Sequence, residues 1–285
     1  MRTKIIAAAA VAFGAAWASD WDDNFTVREQ ETIERTFPAA KKIDVDNFDG
    51  SVTVLGADTH EIKVEIHKTI RARSPEKLQE AKQEVRLDMG PQADELRLYV
   101  DGPFRCKCGD GSVNYRGSRY SGYEVSFDFT LHVPRETAVR LRTVNRGEIR
   151  VENTDGAFDA ENINGGLDLV EIAGSGHAYA LNRPVQVSYR RNPTGASDFG
   201  SLNGDVEVGF RPGLSADIWL KTFNGSAYTD FDVTALPSRP AVREERNGKY
   251  VYKSNQFYGV RVGQGGPELK FDAFNGDIRI RNRER

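Results

Sequence analysis

Gly147-Glu-Ile-Arg-Val-Glu-Asn-Thr-Asp155, Gly156-Ala-Phe-Asp-Ala-Glu-Asn-Ile-Asn164, Gly165-Gly-Leu-Asp-Leu-Val-Glu-Ile-Ala173 and Gly174-Ser-Gly-His-Ala-Tyr-Ala-Leu-Asn182 follow one another without a break. Aligned, they share a nine-residue frame that continues into Arg183-Pro-Val-Gln-Val187. After a slip of a few residues it returns at Gly195, Gly204, Gly225 and Gly276, and a single early copy stands at Asp49-Gly50-Ser-Val-Thr-Val54. The third and fifth positions are apolar, as in Ile149 and Val151, Leu167 and Leu169, Val185 and Val187, Val206 and Val208, and Ile278 and Ile280. Alternation at period two marks strands with one buried face. A further apolar residue precedes many of the turns: Ile163, Ile172, Leu181, Leu202, Phe223 and Phe274. Asn-Gly follows at Asn164, Asn203, Asn224 and Asn275, a pair that tolerates positive φ and so permits a sharp change of direction.

Two architectures accommodate such a pattern. Asn-Gly between alternating segments is a hairpin signal, which gives an antiparallel β-sandwich or meander. Recurrence of the turn at 147, 165, the 183 slot, 204 and 225, every 18 to 21 residues, is what stacked coils require. The regularity predicts the latter: an all-β, parallel β-solenoid of β-helix type with irregular N-terminal strands and one short helix. The antiparallel sandwich or meander is the alternative.

Outside the array, Ser74-Pro75-Glu76 opens a short helix near 75–84, with Ser at the cap and Pro in the first turn. Strands are expected over 85–89, 96–100 and 123–133, and loops over 101–122 and 237–249. The run Val125-Ser-Phe-Asp-Phe-Thr-Leu-His-Val-Pro134, then Val139-Arg-Leu-Arg-Thr-Val-Asn145, with Asn203-Gly-Asp-Val206 and Asn275-Gly-Asp-Ile278, resembles the bacterial "putative adhesin" β-strand-repeat family over roughly residues 40–281. The resemblance implies a β-solenoid envelope protein and brings no catalytic residues with it.

The N-terminus reads as a secretory signal: Arg2 and Lys4, an apolar run from Ile5 to Ala16, then Ala16-Trp17-Ala18 before a cleavage site. That run is shorter than the ~20 residues a membrane span needs. The expected divisions are a signal peptide at 1–18, an N-terminal extension at 19–39, a β region with the helix and Gly-rich loop at 40–136, and the repeat array at 137–285. The mature chain is expected to be exported, periplasmic or at the cell surface, with no integral membrane segment. A formal net charge of −3 argues against a dedicated nucleic-acid binder. The 27 glycines suit many short strands joined by tight turns.

Chemistry is sparse. Cys106 and Cys108 are too close for an unstrained disulfide and lack further metal ligands. Gly165-Gly166-Leu167-Asp168 approaches a calcium-binding nonapeptide but lacks its third glycine, so neither metal nor cofactor is expected. If two nonads complete one coil, the outward fourth positions form two columns: Arg150, Asp168, Gln186, Glu207 and Tyr228, and Asp159, His177 and Asp198. The second is the most enzyme-like set, and it carries the alternative function, a β-helix enzyme acting on envelope or extracellular polysaccharide. The better binding candidate is the 101–122 loop extended to Tyr123. There Tyr115, Tyr120 and Tyr123 interleave with Arg105, Lys107, Arg116 and Arg119, offering flat faces and forked donors.

The resulting expectation is an exported, non-catalytic envelope protein that binds, adheres or scaffolds. Its site residues are Arg105, Tyr115, Arg116, Arg119, Tyr120 and Tyr123. Its partners are an envelope or extracellular polysaccharide or protein, or a second copy of the chain. Protein recovered from the native host is expected to begin at Ser19, and intact mass spectrometry checks this; full-length cytoplasmic material would refute it.

Overall fold

The computed structural model describes residues 25–107, 113–115, 122–238, 242–246, 249–253 and 257–284. In chain order the elements are β1 (Val27–Pro38), β2 (Lys42–Asp46), β3 (Val52–Ala57), β4 (Glu61–Ala72), α1 (Pro75–Glu84), β5 (Arg86–Gln92) and β6 (Glu95–Asp101). Next come β7 (Arg105–Lys107), β8 (Val113–Tyr115), β9 (Tyr123–Pro134), β10 (Ala138–Thr143), β11 (Ile149–Glu152), β12 (Phe158–Asn162) and β13 (Leu167–Ile172). They are followed by β14 (Gly176–Ala180), β15 (Val185–Tyr189), β16 (Ser197–Ser201), β17 (Val206–Phe210), β18 (Ala216–Thr222) and β19 (Ala227–Thr229). The last are β20 (Val233–Ala235), β21 (Val242–Arg246), β22 (Lys249–Lys253), β23 (Tyr258–Val262), β24 (Glu268–Ala273) and β25 (Ile278–Asn282).

Two large sheets result. The first has 10 strands in the order β1-β4-β9-β3-β11-β13-β15-β17-β25-β19. The second has 11, ordered β20-β23-β18-β24-β16-β14-β12-β10-β2-β6-β5. Through the array the chain changes sheet at every turn. β11 pairs in parallel with β13, and β13 with β15, while β12 pairs with β14 and β14 with β16.

The all-β expectation stands, but the parallel solenoid is corrected. What forms is a sandwich-like pair of mixed, mostly parallel sheets, and neither closes. The 12-residue strands β4 and β9 pair antiparallel, and β1 adds to β4 along its whole length. Antiparallel pairs also end the second sheet, β5 on β6 and β23 between β18 and β20. Succession breaks as well, because β17 and β16 take β25 and β24 as neighbours. In chain order β18 to β23 intervene before the chain returns to the array as β24 and β25. The alternative describes the layering, but its antiparallel direction holds only for the flanking strands. Its hairpins fail in the array, where Asn164-Gly165 and Asn203-Gly204 each pass the chain across to the opposite sheet.

One apolar core runs between the sheets. Ile149, Val151, Val185, Val206, Val208 and Ile278 are completely buried. Aromatic rings fill its wider part: Tyr189 stacks on Phe210 with centroids 5.2 Å apart, and Phe199 lies 5.2 Å from Phe271. Helix α1 starts where its cap predicts, the Ser74 side chain accepting from the Lys77 amide at 3.3 Å. Its Leu78 and Ala81 are buried against β4 and β9. β25 lies inside its sheet between β17 and β19. Arg279 holds Asp205 at 2.5 Å and Asp277 at 2.6 Å. Val206→Asp places an unpaired charge in this core, and should cost at least about 3 kcal/mol in denaturant unfolding. An unchanged midpoint would overturn the inside–outside assignment.

Candidate functional site

Alternation along parallel strands turns every second residue of the second sheet outward, and register aligns these residues into columns. One column reads Arg97, Asp44, Arg140, Asp159, His177, Asp198, Lys270 and Trp219 from β6 to β18. The next reads Tyr99, Asp46, Arg142, Glu161, Tyr179, Gly200, Asp272 and Lys221 on the same strands. Asp159, His177 and Asp198 are thus direct neighbours, as their spacing predicts. Their carboxylates, however, face cations: Asp159 receives Arg142 at 3.4 Å, and Asp198 lies 3.8 Å from Lys270.

Charge alternates across the face. Arg142 Nε donates to Glu161 at 2.9 Å, Arg140 lies 3.4 Å from Asp44, and Lys221 lies 3.2 Å from Asp272. The hydrogen bond from Arg142 holds the Glu161 carboxyl below its usual range, and burial opposes this. Asp44 is shifted upward because burial outweighs the attraction of Arg140. Burial also raises the Tyr179 phenol, and the charge of Asp272 adds to it. The first sheet carries the companion column Arg150, Asp168, Gln186, Glu207, Arg279 and Tyr228, with Arg279 entering between the last two. Asp168 is bound by Arg150 there. Among the described residues no three His, Cys, Asp or Glu side chains group as metal ligands.

The loop residues fall into distinct settings. Arg105 is nearly enclosed, its side chain 3% exposed. It donates to Asp46 Oδ1 at 2.8 Å and to the Val100 carbonyl at 2.6 Å, and lies 4.4 Å from the Tyr99 ring centroid. Phe104 beside it stacks on Phe48 at 4.0 Å. Arg105 is thereby held against Asp46 and Tyr99 on the outward side of the second sheet, while Phe104 packs into the core. Tyr123 is buried at the start of β9, its hydroxyl donating to Glu84 of α1, and burial drives its pKa up. Tyr115 ends β8, which pairs with β7, while Arg116, Arg119 and Tyr120 lie outside the described residues, as do residues 1–18, where a signal peptide is expected.

Sequence reasoning missed the turns' internal hydrogen bonding. Buried Asn162 donates to the Gly147 and Gly166 carbonyls at 3.1 Å, and its own carbonyl accepts from the Gly165 amide. Outside runs a ladder of side-chain amides, Asn145, Asn164, Asn182, Asn203, Asn275 and Asn224. Asn-Gly repetition was the available signal for the ladder, though only stacking of the turns reveals it. Among the described residues, the large apolar side chains that are exposed gather at one end of the array, at Phe223, Tyr228, Val233, Tyr258 and Phe274.

No family model and no curated relative matches the chain. Solved structures do resemble it. A "putative cell adhesion protein" of Clostridium sporogenes is 11% identical, covers 88% of this chain and 100% of its own, and has a TM-score of 0.42. A "putative adhesin" of Bacteroides fragilis is 12% identical over 88% of this chain and 97% of its own, with a TM-score of 0.29. A "putative lipid binding protein" of Parabacteroides distasonis is 12% identical over 87% and 96%, with a TM-score of 0.23. No helix among the described residues is long and apolar enough to cross a membrane.

The depressed Glu161 carboxyl contributes stability above its unfolded value of 4.5, and that contribution is lost as pH falls through the lower folded value. Arg142→Ala should therefore lower stability at neutral pH by up to about 1 kcal/mol, the scale of partly exposed pairs. Denaturation midpoints of the two proteins should converge once the carboxylates are protonated. A gap that persists in acid would assign the loss to packing of the Arg142 stem.

Proposed function

We propose that the chain is an exported, non-catalytic binding protein of a bacterial cell envelope, engaging an extended envelope or extracellular polysaccharide or protein. The observation that carries this reading is the contact of Arg105, at the start of the Tyr/Arg loop, with Asp46 on the outward side of the second sheet. A wide sheet face with fixed strand spacing suits an elongated partner, because groups recur at a constant interval. Tyr115, Arg116, Arg119 and Tyr120 contribute from the loop, with aromatic faces and bidentate donors. Export rests on the first eighteen residues and their small-residue cleavage pattern.

A polysaccharide-cleaving enzyme has less support, since Asp159 and Asp198 face Arg142 and Lys270 on either side of His177. The test is a glycan array with pull-down from envelope extract. It compares the mature protein with the combined Tyr115→Ala, Arg119→Ala and Tyr120→Ala variant, which is expected to lose most of the captured partner. Capture that survives would remove the loop from the site. Glycan turnover abolished by His177→Ala would overturn the non-catalytic reading.

A further inference from the structure

We infer that Tyr179 and His177 form a platform for an uncharged polysaccharide on the second sheet's outward face. The inference rests on the binding role proposed above and names its ligand class. It starts from an interruption in the charge pattern. Where the rows on either side place ionic groups, β14 places two polar rings and β16 places Gly200 beside one of them. A Cβ at position 200 would come within 2.9 Å of Tyr179 Cδ2, so the Tyr179 ring extends over the backbone of β16. The missing side chain is what gives that ring its place. The His177 ring is parallel to it within 5°, with centroids 6.2 Å apart.

The surroundings select the ligand. The nearby charges are already matched, Arg142 with Glu161, Lys221 with Asp272, and Lys270 with Asp198. An anionic polymer would find no spare cation among these, and a cationic one no spare carboxylate. What remains unused is the Tyr179 hydroxyl and the His177 ring nitrogens, which make no hydrogen bond to the described residues. Ring faces stack on the apolar C–H faces of pyranoses, and the hydroxyl and imidazole exchange hydrogen bonds with sugar hydroxyls. The half-exposed Asp198 and Asp272 carboxylates beside the rings retain lone pairs for further hydroxyls.

Isothermal titration of the mature protein with cellohexaose, maltohexaose and mannohexaose tests this, with hexagalacturonate as the anionic comparison. At least one neutral hexasaccharide should bind, and Tyr179→Ala should weaken it about tenfold. Tyr179→Phe, which keeps the ring, should lose less. Gly200→Ala, which displaces the ring, should also weaken binding, with thermal melts confirming that each variant is folded. The triple loop variant should retain the hexasaccharide if the platform is its site. Undiminished binding by Tyr179→Ala, binding of hexagalacturonate alone, or binding of no hexasaccharide overturns the platform. Capture of an envelope protein by the wild type would in those cases leave the broader binding role standing. Its absence as well would remove both.

Discussion

The constraint on which the array depends is backbone stacked directly on backbone at its corners. Parallel neighbours lie about 4.8 Å apart, and at the turns there is no pleat to separate them. A Cβ at Gly165 would fall 1.8 Å from the Gly147 carbonyl oxygen, and one at Gly276 would fall 2.2 Å from that of Gly204. Glycine recurs in the frame chiefly for this reason of space. The inner face of the same corner must also satisfy its carbonyls, because burial without a partner is costly. Asn162 does so in one row and Thr143, Ser201 and Thr222 in others, each donating to a turn carbonyl. The outer amide ladder continues the alignment into solvent, and all three devices act at one register.

Register at the corners then determines the faces. Once Gly147, Gly165 and Gly204 are aligned with their neighbours, the third and fifth positions must point inward and the fourth outward. Ile149 falls beside Leu167, Val185 beside Val206, and Val206 beside Ile278. A one-residue slip would exchange core and surface along the entire strand. The charged columns follow from the turns as closely as the core does.

This explains what was legible in the sequence. Period-two alternation identified the buried residues, Ser74-Pro75 marked the helix, and the nine-residue frame placed Asp159, His177 and Asp198 side by side. All are local signals. The solenoid failed where pairing is remote. Nothing near Val206 announces that its neighbour is Ile278, 72 positions on, and nothing in Tyr123–Pro134 specifies insertion between β4 and β3. Such choices are made by competition among edges, which a linear pattern does not encode. The site was legible to a similar degree. The Tyr/Arg loop was visible as composition, yet the burial of Arg105 and Tyr123 depends on Asp46 and Glu84, partners supplied by other strands and by the helix.

The outward face of the second sheet gains its meaning from where it breaks its own rule. Opposite charges on adjacent strands stabilise a sheet weakly, and like charges in that position oppose it. From β6 to β12 the first column follows this pattern strictly, as Arg97, Asp44, Arg140 and Asp159. An ion-paired lattice extended through every row would serve solubility and little else. At β14 both positions carry rings, and at β16 Gly200 stands beside Asp198; Tyr99 and Trp219 are the other uncharged members of the two columns. Asp198 and Asp272 are joined to lysines from the far side, so the lattice resumes immediately beyond. Departures from such a rule are expected at functional or strained positions.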